Sequence, residues 1–398
     1  VIAEIVKRSS GRVLMLTDRK ELIEQNYNKL MLHYPEADAG IYSASVGRKE
    51  LQNRITFAGI QSIHRRAADI PPGCLAIIDE CHAISHKDEG MYRRFLEAIA
   101  PRVILGTSAT PYRLGHGMIT DKPAIFEQLI IPERSSILDL IADGYLAPLT
   151  SKGGVQRFDV SGVHKRGGEY IESELQAAVD RADYNARIAE QTIERAGDRR
   201  HWLFFCCGVK HALHLADEFR ARGITAGTVT GDMSMTERET VLRDFMTGRI
   251  RVLTNVSVLT TGFDFPDIDM IGFCRPTMSP GLYVQMAGRG MRLKSHAKDC
   301  LCLDFAGVVA MHGPIINVQP PRKKGEGTDV APSKECPECW EIIAAQCKIC
   351  PVCGHVFNIR DKKDFFVHND DIMGKDTTFT EGCTGWRIGE HIGKKSGK

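Results

Sequence analysis

Short runs of apolar residues alternate with amphipathic stretches through most of the chain. Residues 1–6 space their apolar positions like the buried stripe of a helix, Gly11 punctuates, and residues 13–16 read as a buried strand leading into a helix over 19–32. The same alternation predicts strands near 55–57, at 74–78 and at 103–105, with a helix over 91–100 between the last two. Short apolar strands alternating with helices imply a parallel sheet covered on both faces. A helix-like 136–141 and the turn Asp143-Gly144 close this half, and a Gly- and polar-rich stretch, 153–168, interrupts the pattern.

A second alternation follows: helix 184–195, strand 202–206, helix 212–222, strand 225–229, helix 236–246, and strands 250–254, 270–273 and 300–304. The predicted fold class is therefore α/β, with two doubly wound parallel-sheet domains in tandem. They occupy residues 1–148 and 183–312, joined by a connecting segment, 149–182. Residues 313–334, rich in Pro, Gly and Lys, read as a linker. A Cys-rich module at 335–358 and a tail of mixed charge at 359–398 complete the chain.

With 398 residues, 43% hydrophobic and 26% charged, the chain is in the ordinary globular range, which excludes disordered and fibrous classes. No apolar run reaches the ~18–20 residues of a membrane helix, and no leader pattern opens the sequence, so a cytoplasmic protein without a membrane partner is expected. The net charge of +2 argues against a surface coated in Lys and Arg but permits a local basic groove.

Candidate chemistry begins at Leu75-Ala-Ile-Ile-Asp79-Glu80-Cys81-His82, where two carboxylates follow a buried strand. They stand at the carboxyl edge, where open α/β sheets bind ligands. An Asp there can hold Mg²⁺, and a neighbouring Glu can deprotonate a water for attack on a phosphate. The competing reading is an acidic helix N-terminus. Ser108-Ala109-Thr110 again follows an apolar strand, Thr260-Thr261-Gly262-Phe263-Asp264 follows a third, and Gln285 precedes Arg289 and Arg292. Two Arg three residues apart are expected on one helix face, aimed at a shared anion.

In this order the motifs resemble those of superfamily-two helicases of the DEAD/DEAH type, whose motor is a tandem of RecA-like domains. The resemblance covers roughly residues 1–310: 16–22 with Gln25, 59–62, 79–82, 108–110, 203–206, 254–264 and 285–292. The Asp-Glu-Cys-His box and the Gly144-Tyr145-Leu146 turn look most like the bacterial and phage RadD-like DNA-repair helicases; type III restriction translocases share much of the wording. The resemblance implies ATP as substrate, with Mg²⁺ on Asp79, water activation by Glu80, and Arg289 and Arg292 reaching the γ-phosphate. Gly262, Asp264, Gln285 and His82 would line the nucleotide cleft, and His82 with Ser108, Ala109 and Thr110 would couple it to the nucleic-acid groove. Thr17, Arg19, Gln61, Thr230, Gly231 and Thr254 would touch the strand backbone. The implied partner is single-stranded or branched DNA, RNA remaining open, with repair or replication proteins of a bacterial or phage-infected cell.

The departure from the family pattern is the absence of a G-x-x-x-x-G-K-[ST] phosphate loop anywhere in the sequence. The expectation is a chain truncated just after that motif; the alternative is a degenerate motor serving as a non-catalytic nucleic-acid-binding scaffold. Cys336-Pro-Glu-Cys339 and Cys350-Pro-Val-Cys353-Gly354 form paired knuckles able to present four thiolates to one tetrahedral Zn²⁺, which predicts a zinc ribbon. Cys347 is a spectator or alternate ligand, and the remaining strand-associated Cys read as small core residues.

Overall fold

The computed structural model describes residues 2–84, 90–113, 117–121, 124–151, 158–166, 168–259 and 263–318, with 333–335, 342–344, 348–349 and 354–357. The first half runs α1 (Ile2–Arg8), β1 (Val13–Thr17), α2 (Lys20–His33), β2 (Ala39–Ser43), β3 (Arg48–Lys49), β4 (Ile55–Gly59), α3 (Ile60–Ile63), β5 (Leu75–Asp79), α4 (Met91–Ile99) and β6 (Val103–Thr107). These strands form one sheet in the order β3-β2-β4-β1-β5-β6, parallel except for the β2–β3 pair. Every residue of β1 and β4 is buried, as expected for central strands with helices on both faces. Among the described residues β6 is an open edge: Val103 is 47% exposed and its other residues are only partly covered.

A small hairpin of β7 (Tyr112–Arg113) and β8 (Gly117–Met118) follows, then α5 (Ile137–Ala142), whose start is a capping box between Ser136 and Asp139. The stretch that reads as a connector contains structure of its own: β9 (Leu149–Ser151), the hairpin β10 (Lys165–Arg166) and β11 (Glu169–Tyr170), and α6 (Glu172–Val179). The second half continues with α7 (Ala182–Ala196), β12 (Trp202–Cys206), α8 (Val209–Ala221), β13 (Ala226–Val229), α9 (Met235–Met246), β14 (Val252–Asn255), β15 (Met270–Cys274), α10 (Pro280–Gly288), β16 (Cys300–Asp304) and α11 (Val308–His312). Its sheet is ordered β13-β14-β12-β15-β16-β9 and is parallel throughout, so β9 joins this sheet beside β16.

Burial explains this second sheet. Trp202, Phe204 and Phe205 of β12 are inaccessible, and Phe219, Phe245, Phe273 and Phe305 pack around them from both faces. Cys206, Cys207, Cys274, Cys300 and Cys302 are buried free thiols, and burial pushes the Cys207 thiol up to about 12, so they act as small core residues. Near the C-terminus β17 (Ser333–Glu335) pairs antiparallel with β18 (Ile342–Ala344). No helix among the described residues is long and apolar enough to cross a membrane.

Gly290 shows how tightly the second domain closes on its site. A Cβ there would sit 2.6 Å from the Cys300 sulfur and 2.8 Å from Ile271 Cδ1. Gly290→Ala is therefore expected to destabilise the chain by about 1–3 kcal/mol through overpacking, read as a lower denaturant midpoint at unchanged slope.

Candidate functional site in the cleft between the domains

The carboxyl end of β5 is where the first domain's chemistry is assembled. Asp79 accepts from Asn26 Nδ2 at 2.8 Å, from Thr107 Oγ1 at 2.9 Å and from the Glu80 N–H at 3.0 Å. Donors from α2 and β6 thus fix its two oxygens while leaving lone pairs for a hard cation. Glu80 adopts a left-handed backbone (φ 51°), a conformation costly for a residue with a Cβ. That turn sends Cys81 into the core and leaves Glu80 and His82 facing the cleft. Burial, and then the neighbouring Asp79 charge, hold the Glu80 carboxyl above its ordinary range; the Arg289 guanidinium pulls the other way.

His82 is the hub. Its Nδ1 lies 2.8 Å from Ser108 Oγ and 3.3 Å from Glu80 Oε2, and its Nε2 lies 3.2 Å from Gln285 Nε2 of the second domain. Ser108 Oγ also accepts the Thr110 N–H at 3.0 Å. Ala109 contributes only a small exposed side chain. His82, Thr110, Tyr112, Ser279, Gly281 and Gln285 line a cavity of about 210 Å³ between the domains.

The two arginines differ from the expected shared helix face. Helix α10 ends at Gly288, so Arg289 is its C-cap and Arg292 lies beyond it in the turn containing Gly290. The lack of a Cβ at Gly290 lets this turn lie close against Cys300 of β16. Arg289 donates to the Phe263 carbonyl and faces Glu80; burial brings its pKa down to about 10, so it remains cationic at neutral pH. Arg292 pairs instead with Asp264, which also binds Lys29 Nζ at 2.7 Å across the cleft. Burial lowers the Lys29 pKa, with Arg292 adding to the effect. Sequence reasoning missed Lys29; the available signal was its helical spacing from Asn26, three residues earlier on α2.

The expected nucleic-acid residues do not share one surface. Arg19, Gln61 and Gly231 are exposed, Arg19 close enough to Glu80 and Arg289 to perturb both. Thr17 and Thr230 are buried, and Thr254 is wholly inaccessible, its hydroxyl bonded to Thr228 and to the Ala212 carbonyl. Thr17 and Thr254 therefore cannot present their side chains to a strand, because both stand within covered sheet strands rather than beyond the sheet edge. Gly262 and Cys336, Cys339, Cys347, Cys350 and Cys353 lie outside the described residues.

Comparisons with known proteins bear on the two sheet domains. The family model for the type III restriction enzyme res subunit matches residues 1–113, and that for the helicase conserved C-terminal domain matches 184–294. A model of an uncharacterised family matches 334–359. The two larger matches fall one on each of the tandem parallel-sheet domains, so the chain is similar to the two-domain, RecA-like motor of superfamily-two helicases. Among its relatives, a 51.5 kDa protein of a Lactococcus phage is 28% identical over 92% of this chain and 77% of its own. The candidate ATP-dependent helicase IRC3 of Saccharomyces cerevisiae is 28% identical over 76% of this chain, and the candidate mitochondrial helicase irc3 of Schizosaccharomyces pombe 30% over the same share. The chain spans 44% and 50% of those two yeast proteins. The fold is also that of a candidate HsdR fragment of a type I restriction enzyme from Vibrio vulnificus, at TM-score 0.56 and 22% identity over 79% of this chain and 57% of that one.

Glu80 carries a sign-specific stability prediction. Its folded-state pKa is raised, so an ionised Glu80 costs stability once the pH exceeds its unfolded value of about 4.3. Glu80→Gln should raise the thermal midpoint at pH 7.5, with the gain vanishing near pH 4. A melting series over pH checks it.

Proposed function

We propose that this chain is the motor of an ATP-dependent translocase or helicase acting on nucleic acid, with single-stranded or branched DNA as its partner. The observation that carries the reading is the cross-domain contact beside Glu80: His82, next to Glu80, meets Gln285 of α10, the helix whose C-cap is Arg289. Hydrolysis then depends on closure: Glu80, with its raised pKa, takes the proton from the attacking water, and Arg289 stabilises charge building on the transferred phosphoryl group. Asp79, oriented by three donors, is the residue to hold Mg²⁺, which when bound neutralises phosphate charge. Arg292, held by Asp264, shapes the cleft wall in the closed arrangement. The His82–Ser108 and His82–Gln285 contacts link the carboxylates to the loop after β6 and to α10, so that opening the cleft disturbs the base.

Contacts to phosphates position a strand without reading its sequence, so binding is largely sequence-independent. The RadD-like wording of the motifs supports a role in DNA repair, recombination or phage DNA metabolism, alongside repair or replication proteins. The test is DNA-stimulated phosphate release by the protein as its gene encodes it. Glu80→Gln should lower the rate by about 10²–10⁴-fold and Arg289→Ala by about 10³-fold or more. The pH–rate profile should fall on its acid side above the usual carboxylate range. An unstimulated protein indifferent to Glu80→Gln points to the non-catalytic scaffold instead, and stimulation by RNA alone reassigns the partner.

We propose further that the C-terminal module is a zinc ribbon on Cys336, Cys339, Cys350 and Cys353. Support comes from the flanking backbone: Ile349 bridges Val356 antiparallel, the Phe357 N–H reaches the Lys348 carbonyl at 2.9 Å, and Gly354 takes φ 77°. These contacts bring together the chain on either side of the second knuckle, as a site on Cys350 and Cys353 requires. Metal analysis should find about one Zn per chain, falling to well under half in Cys350→Ser.

A further inference from the structure

Glu169 of the β10–β11 hairpin reaches the second domain at the start of α10, the helix whose C-cap is Arg289. Glu169 Oε2 accepts from the Thr277 hydroxyl at 2.6 Å, and its Oε1 accepts from the Met278 N–H at 2.9 Å. Thr277 is wholly buried, and its hydroxyl in turn accepts the Ser279 N–H at 3.0 Å. Ser279 caps α10 by accepting the Leu282 N–H at 3.3 Å. From the other side His312 Nε2 sits 2.8 Å from the Thr277 carbonyl. One carboxylate therefore ties the hairpin, through three consecutive residues, to the helix that carries Gln285 and ends at Arg289.

The hairpin's charge is also sorted. Glu169 is spent on the turn, and Glu174 on His164, whose N–H and ring Nδ1 lie 2.8 and 2.9 Å from it. Lys165 and Arg166 stand exposed, Lys165 over the Tyr170 ring at 5.2 Å, with no carboxylate among the described residues paired to either. Two exposed cations on one short strand, with no carboxylate paired to them among the described residues, suit a phosphate backbone.

We propose that this hairpin is a nucleic-acid sensor and that Glu169 is the positioning residue that transmits its occupancy to Arg289. The inference rests on the motor reading above and adds to it a route from strand to arginine. A strand held by Lys165 and Arg166 fixes the hairpin; the hairpin, through Glu169, fixes the Thr277–Ser279 turn; and α10 then holds Arg289 against Glu80.

The test is amide hydrogen exchange with and without a single-stranded oligonucleotide. The parent chain should gain protection at 165–170 and at 277–290. Glu169→Ala should keep the first and lose the second, and Glu169→Gln, whose amide can still accept the Met278 N–H and donate to Thr277, should restore it. In phosphate-release assays Glu169→Ala should lower the stimulated kcat about tenfold while KM for ATP stays within about twofold. A merely structural role would not produce that split or the rescue by Gln. Protection of 277–290 that persists in Glu169→Ala overturns the sensor alone. No oligonucleotide-dependent protection anywhere in the parent chain overturns the motor reading as well. If Glu169→Ala does not fold, the Lys165→Ala/Arg166→Ala pair decides: it should lose the gain at 277–290, and retention overturns the proposal.

Discussion

The His82 ring is bonded on both sides, and the two sides belong to different domains. Nδ1 answers to Glu80 and Ser108, Nε2 to Gln285. A single imidazole thus reports the state of the base, of the loop after β6 and of helix α10 together. Its position follows from the left-handed turn at Glu80, which aims the ring out of the sheet edge while the preceding strand stays buried. Without that turn the carboxylates and the ring would continue the strand's alternation and point to opposite faces.

The cleft also sorts its charges by depth. Asp79 and Glu80 lie on one wall, Arg289 and Arg292 on the other, with Lys29 and Asp264 pairing between them. Desolvation disfavours the Glu80, Lys29, Arg289 and Arg292 charges, and opposite charges across the cleft offset part of that cost. Such a site holds together best when the walls are close and its countercharges are complete.

Much of this was legible in the chain because each motif follows a buried strand. Runs such as Leu75–Ile78 mark the sheet unmistakably, and polar residues just after them can only stand at its carboxyl edge. The end of α10 was not legible, since a Gln-Met-Ala-Gly-Arg run fits a continuing helix; the close approach of Gly290 to Cys300 involves a strand ten residues later. β9 was missed because three residues, Leu-Thr-Ser, carry no periodicity, and they join a sheet whose other members come later in the chain. Lys29 belongs to no motif, and its partner Asp264 lies in the other domain. Thr254 shows the converse failure: motif membership cannot tell a residue within a strand from one just past it.

The open edge of β6 has a bearing on how this polypeptide behaves in a crowded solution. A parallel sheet normally hides its edges, yet among the described residues no strand pairs with the outer side of β6, whose Val103 is 47% exposed. Ile130 and Ile131, at 78% and 74% exposure, add further apolar surface. Unpaired strand edges recruit other strands. An added strand pairing along β6 would satisfy that edge's backbone donors and acceptors and extend the sheet to seven strands.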